Sequence, residues 1–201
     1  MPGLGSLLDI AHMWSDEQLR PRLVGRIVTL EPLEARHVEG LRAAAADERA
    51  WTWMTTRDTE AWIREALAAT DRYHFVVVKD GTVVGSTSYL SVFPEHLRLE
   101  IGHTWNTPSA WGSGANTDAK YLLLRHAFEE LGARRVEFKT DAKNERARAA
   151  LAAIPAEFEG IHRKHMVVRG GERRDSAWYA VIDDDWPRVK VALERRLSGK
   201  R

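Results

Sequence analysis

Apolar positions change their period several times along the chain, and each change marks an element. Arg26-Ile27-Val28-Thr29-Leu30, bounded by Gly25 and Pro32, reads as a short strand. Val38, Leu41 and Ala45 recur at helical spacing through Glu34–Ala45. Trp62, Ala66 and Ala69 do the same through Thr59–Ala69, with Thr59 as N-cap. The pattern then shortens: Tyr73–Val78 and Thr82–Leu90 flank Asp80-Gly81, a hairpin signal. Leu97, Leu99 and Ile101 alternate with Arg98, Glu100 and Gly102, which predicts a further strand. A polar, Gly-rich loop over Asn106–Asn116 leads into a helix over Asp118–Leu131, whose stripe is Tyr121, Leu124, Phe128 and Leu131 and whose stop is Gly132. Arg135–Thr140 predicts a strand, and Asn144–Ala153 a helix ended by Pro155. Phe158–Val168 and Ser176–Ile182 flank Gly170-Gly171 as a second hairpin, and a last helix runs from behind Asp183-Asp184-Asp185 to about Leu197. The predicted order is β-α-α-β-β-β-α-β-α-β-β-α. Residues 1–21, closed by Pro21, show no clear period and are expected to form an N-terminal extension packed as a short helix, ahead of a single domain over 22–201.

Composition narrows the chemistry. The 201 residues carry 30 Lys+Arg against 29 Asp+Glu, a net charge of +1, which argues against the basic stripe of a nucleic-acid binder. Zero cysteine excludes disulfides, thiolate metal sites and a cysteine nucleophile. No apolar run approaches the roughly 18 residues that span a bilayer. The N-terminus lacks a basic region and its apolar run is broken by Asp9, so no signal peptide is expected. These features predict a soluble, cytoplasmic protein without nucleic-acid or membrane partners. His162 and His165 on one strand are expected to face opposite sides, so no metal site is expected there. Eight Trp is the unusual figure, since Trp marks cores and ligand surfaces.

The informative stretch is Trp111-Gly112-Ser113-Gly114-Ala115-Asn116-Thr117, between a strand and a helix. Glycines there let a ligand approach the backbone, and the free amides and positive end of the helix dipole favour a phosphate. An ordinary strand-to-helix loop with two glycines is the alternative. A dinucleotide fingerprint would need a glycine near Thr117, and a Walker loop needs Gly-Lys-Ser/Thr; neither is present.

The element order and the run from Leu97 to Ile154 resemble a GNAT-superfamily N-acetyltransferase, in the branch of ribosomal-protein N-terminal acetyltransferases and their relatives (RimJ/RimL-like). The family's pyrophosphate motif, Arg/Gln-x-x-Gly-x-Gly/Ala, falls on Ser109-Ala110-Trp111-Gly112-Ser113-Gly114, with Ser109 replacing the leading Arg or Gln. Glu100-Ile101-Gly102, Asn144, Tyr179 and Asp184-Asp185-Trp186-Pro187 add to the likeness, which spans about residues 22–197. It implies an α/β (α+β) GNAT fold with a mixed, mostly antiparallel central sheet flanked by helices. It also implies acetyl-CoA as donor and no metal. The pyrophosphate would lie on the amides of Trp111, Gly112, Ser113, Gly114, Ala115 and Asn116, with Thr117 also counted as cofactor-binding; the strand edge His103-Thr104-Trp105 would pair with pantetheine, and Asn144 would contact the CoA arm or the thioester region. A homodimer is a family expectation.

Acetyl transfer needs a free amine, whereas a lysine-like ammonium has a pKa near ~10.4. Glu100 is the candidate base, acting through water; by alternation it shares a face with Arg98, Gly102 and Thr104. A solvated carboxylate, or one compensated by Arg98, is the other reading. Relatives often place Ser three residues, or Tyr seven, after the helix-opening Asn as general acid, but Ala147 and Leu151 stand there. Tyr179 is the substitute candidate, against a buried structural role. Trp51, Trp53 and Met54 lie where the family places a wall of the acceptor site, with one Trp expected in the core and one at the cleft. The acceptor would be a primary amine, on a peptide N-terminus or a small molecule, taking acetyl by direct transfer in a ternary complex. Near-neutral net charge gives no preference for acidic acceptors. A non-catalytic acyl-CoA-binding module is the rival function.

Overall fold

The computed structural model describes residues 14–199. Eight strands form one sheet in the order β1-β2-β3-β4-β5-β6-β8-β7. They are β1 Leu23–Val24, β2 Thr29–Pro32, β3 Tyr73–Lys79, β4 Thr82–Phe93, β5 Arg98–Asn106, β6 Arg135–Asp141, β7 Glu157–Val168 and β8 Glu172–Ile182. The longer helices are α1 Val38–Ala45, α2 Thr59–Ala68, α3 Ala115–Arg125, α4 Glu145–Ala152 and α5 Trp186–Ser198. Every strand pair is antiparallel except β5–β6. The mixed α/β sheet and the element order match the expectation.

Two apolar clusters occupy the two faces. On one, Phe75, Tyr89, Leu99, Phe138 and Val181 pack against Leu122 and Leu123 of α3 and Val189 and Leu193 of α5. On the other, Leu41, Trp51, Trp62 and Ile63 of the α1–α2 region pack on Val76 and Trp105. Beyond β5 this second face turns polar: Val136 and Phe138 belong to the α3 side, so alternation puts Glu137, Lys139 and Asp141 on the opposite one.

Differences from the predicted elements have local causes. The strand expected from Arg26 begins at Thr29, because the amides of Ile27 and Val28 donate to Asp118 Oδ2 at 2.6 and 2.9 Å instead of to a neighbouring strand. The helix expected over 118–131 starts at Ala115 and ends in a π-turn over His126–Glu130. The first long helix opens with a 3₁₀ turn, Ala35–His37. Of the predicted extension, residues 1–13 lie outside the described residues. A short helix, Asp16–Leu19, is capped by Ser15, and Trp14 enters the main core with its Nε1 donating to Leu131 O at 2.7 Å.

Candidate active site

The parallel pair β5–β6 holds register only over Arg98–Glu100 against Arg135–Glu137. Past Glu100 the two strands part. A cavity of about 410 Å³ runs through this gap, lined at one end by the loop before α3 and at the other by Trp53, Met54, Met166 and Arg174. Opposite, the β4–β5 ladder carries a bulge: Ser86 pairs with Trp105 and Ser88 with Gly102, so His103 and Thr104 oppose Thr87 alone. His103 takes φ 47° there. The extra residue inverts the alternation. Thr104 turns to α3, where its hydroxyl receives Lys120 Nζ at 2.6 Å, while Trp105 joins Trp51 and Trp62 on the other side. The expectation that Thr104 shares a face with Glu100 is thereby corrected.

At the loop end, Gly112 has φ 74° and Gly114 φ 95°, conformations that favour glycine. A Cβ on Gly112 would meet nothing within 4 Å, so the loop surface is open there. The first bond within α3 is Asp118 N to Gly114 O at 2.9 Å, and Ser113 Oγ accepts from Ala115 N at 3.3 Å. The amides of Asn116 and Thr117 therefore have no acceptor within the helix. Gly112, Gly114, Asn116, Thr117 and Trp111 line the cavity; Ser113 and Ala115 do not, since Ser113 bonds back to the loop and Ala115 is buried under it. Two cations missed from the sequence also stand here: Arg146, whose guanidinium lies 3.5 Å over the Trp111 ring, and Arg196. Asn144 lines the cavity, but its side-chain oxygen caps α4 by accepting from Ala147 N at 3.1 Å.

In the middle sits Lys120, also unremarked in the sequence because a lysine on an amphipathic helix ordinarily reads as surface. It is 5% exposed, its ammonium bonding the Thr104 and Thr87 hydroxyls and, among the described residues, no carboxylate. Burial brings its pKa down to about 7. His103 stacks on His74 at 5.8 Å, and His74 Nδ1 shares a hydrogen bond with Ser88 Oγ at 2.7 Å. Desolvation lowers His74 to about 3, and His103 to about 4 with help from Arg72 and Lys139, so both rings are neutral near pH 7.

At the far end Glu100 is 1% exposed and accepts from Lys139 Nζ at 2.8 Å and Ser91 Oγ at 3.3 Å. It is neither solvated nor compensated by Arg98, which pairs with Glu137. Arg169, at the end of β7, pairs with Asp141 at 3.1 Å with both side chains buried, and donates to Met54 O at 3.2 Å. This clamps the β7–β8 turn onto the segment carrying Trp53. Trp53 and Met54 line the cavity, whereas Trp51 is core, with Nε1 donating to Ala45 O at 3.0 Å. Tyr179 is absent from the lining: its side chain belongs to the α3-side core, and its hydroxyl accepts from Arg148 Nε at 3.1 Å. Its placement is that of the structural alternative. His162 and His165 do not diverge: a register shift in β7 brings their rings to 5.7 Å, around Trp178. Among the described residues no group of three or more metal-ligating side chains occurs. No described helix is long and apolar enough to cross a membrane.

Buried polar atoms without a protein partner concentrate on this cavity. His103 Nδ1, Trp105 Nε1, Asn106 Oδ1, Asn116 Oδ1 and Arg174 Nε all belong to lining residues. Buried polar groups are rarely left unpaired, so these atoms are open to partners from within the cavity.

Comparison with known proteins agrees with this geometry. A crystal structure of a GCN5-related N-acetyltransferase from Brucella melitensis superposes with a TM-score of 0.82 at 34% identity, covering 88% of this chain and 85% of that one. Mycobacterium smegmatis RimJ, solved in complex with CoA-disulfide, shares the fold with a TM-score of 0.77 at 20% identity, over 91% of this chain and 97% of that one. Among curated proteins, "Putative ribosomal N-acetyltransferase YdaF" of Bacillus subtilis (strain 168) is 31% identical over 107 residues, 53% of this chain. That match spans only 57% of the relative's length. The family model for the acetyltransferase (GNAT) domain matches residues 28–155, the stretch that contains the splayed strands, the loop and α3. The chain therefore belongs to the GNAT acetyltransferase family.

Proposed function

We propose that this chain, as one domain over 22–201, is an acetyl-CoA-dependent N-acetyltransferase that moves acetyl directly to a primary amine, on a peptide N-terminus or a small molecule, within a ternary complex. The observation that carries the reading is the cavity through the β5–β6 gap, which joins a phosphate-type loop to a separate charged end. Acetyl-CoA, when bound, supplies an activated thioester. The open glycine surface, the α3 amides and the cations Arg146 and Arg196 suit its diphosphate. The bulged edge His103–Trp105 runs beside the path of the pantetheine, and Trp53 and Met54 wall the acceptor.

The residues divide the proton work. An amine acceptor reaches the site protonated and must lose a proton before its nitrogen attacks. Glu100 takes that proton through water, its charge held in place by Lys139. As the C–N bond forms and the C–S bond breaks, the leaving sulfur needs a proton. Lys120, with a pKa of about 7, can give one and regain it from solvent. It fills the role for which Ala147 and Leu151 offer no hydroxyl.

Thiol release from acetyl-CoA across a panel of amines tests the reading. With zero cysteine, the protein gives no thiol background. Amine-dependent release that is lost in Glu100→Gln is expected. Tight CoA binding with no release from any amine would leave the acyl-CoA-binding module instead.

A further inference from the structure

The charged end of the cavity leaves one cation without a carboxylate in contact. Lys139 pairs with Glu100 at 2.8 Å, and Arg169 pairs with Asp141 at 3.1 Å and with Glu172 at 2.9 Å. Arg174 of β8 is a third cation with no carboxylate of its own. Its side chain lines the cavity and the residue is 6% exposed. Among the described residues its guanidinium makes no hydrogen bond or ion pair, and Nε is buried without a partner. The charges that act on it are Asp141, Arg169 and Glu100, so the carboxylates nearby are already committed to other cations.

Alternation explains why Arg174 reaches this place. Ala177, Tyr179 and Val181 of β8 face the α3-side core, which puts Arg174, Ser176 and Trp178 on the polar side with Lys139. Met166 is its cross-strand partner and lines the same cavity. A planar guanidinium held opposite Met166, with its donors unspent, matches a carboxylate in both charge and shape.

We infer that Arg174 binds a carboxylate carried by the amine acceptor, so that the preferred acceptors are amines bearing an acidic group. The inference rests on the acetyl-transfer reading only in calling the ligand an acceptor; the anion site itself does not require turnover. The carboxylate has two possible sources, a free acidic amino acid or the acidic side chain next to a peptide N-terminus. The net charge of +1 concealed this preference, because a sum over the chain does not show which cation is left without a carboxylate in contact.

Isothermal titration calorimetry in the presence of CoA tests the site with two pairs of probes. One pair is L-glutamate against L-glutaminamide, in which both carboxylates are amides; the other is the peptide amide Ser-Glu-Ala-Ala against Ser-Gln-Ala-Ala. Wild-type protein is expected to bind the carboxylate member of at least one pair about tenfold or more tighter than its amide, and Arg174→Gln to bring that ratio close to one. The pair that discriminates identifies the source. Arg174→Lys keeps the charge without the fork and should retain part of the ratio, which also guards against a folding defect in Arg174→Gln. Equal affinities within both pairs, or a ratio that survives in Arg174→Gln, would overturn the inference. Thiol release on the same probes reports the other question: carboxylate binding without release would remove the transferase reading and leave the anion site standing.

Discussion

Replacing Lys120 by Met should stabilise the protein and remove a slope from its pH dependence. The wild-type ammonium sits among Thr104, Thr87 and the Phe138 ring, with no carboxylate in contact among the described residues, and the charge of Glu100 offsets only part of the cost of its burial. Its pKa falls from 10.5 to about 7, which corresponds to a folded-state penalty on the order of 5 kcal/mol wherever both folded and unfolded chains hold the proton. The sign follows from proton counting. Between the folded and unfolded values the unfolded chain binds a proton that the folded one releases, so stability rises with pH. From about pH 7 to about pH 9 this one group adds about 2 kcal/mol. Met fills a similar volume, and the two threonine hydroxyls keep each other as partners at 2.9 Å, so no polar atom is orphaned. Urea unfolding at several pH values, followed by tryptophan fluorescence, measures the effect. Wild type should gain stability through this window while Lys120→Met stays nearly flat and lies above it at the low end. The histidines His74 and His103 titrate at lower pH and do not confuse the window. Parallel curves for the two proteins would show that Lys120 is not desolvated as described. If Lys120 also returns the proton to sulfur, kcat should fall above about pH 7 in wild type, and Lys120→Met should be slow and lack that limb.

Three further outcomes follow from single contacts. Asp118→Ala removes the carboxylate that receives Ile27 N and Val28 N; the loss should be about 2–4 kcal/mol in urea unfolding, because one buried and one partly buried amide lose their shared acceptor. Arg169→Gln leaves Asp141 buried and unpaired and frees the β7–β8 turn from Met54, at a cost of about 3–5 kcal/mol measured the same way. Gly112→Val imposes a β-branched residue at φ 74° and puts bulk on the open loop surface; CoA affinity by calorimetry should drop about tenfold or more, and unchanged affinity would sink the phosphate-loop assignment.

Much of the fold was readable because local signals agreed with one another. The Asp80-Gly81 turn, the stripe from Tyr121 to Leu131 and the Pro155 stop each mark an element on their own. β1 was missed because two residues, Leu23 and Val24, carry no period. At the site, the loop glycines and the split between Trp51 and Trp53 were legible; Lys120, Arg146 and Arg174 were not. On a strand or helix a cation normally signals solvent, and nothing in its neighbours announces burial. For Lys120 the available hint was its place four residues after Asn116, which puts the two on one helix flank.

The sequence by itself determined the order of the longer elements, the glycine-bearing loop before α3, the absence of any thiol and the family likeness, since each depends on residues close together in the chain. Tertiary structure decided what depends on distant residues meeting. A bulge opposite Thr87 sends Thr104 and Trp105 to opposite faces, which no alternation rule foresees. Pairing spends Lys139 on Glu100 and Arg169 on Asp141, and leaves Arg174, among the described residues, without a hydrogen bond or ion pair to its guanidinium. Net charge sums over the whole chain, whereas recognition depends on the few charges that burial brings to one cavity, where the low dielectric strengthens each of them.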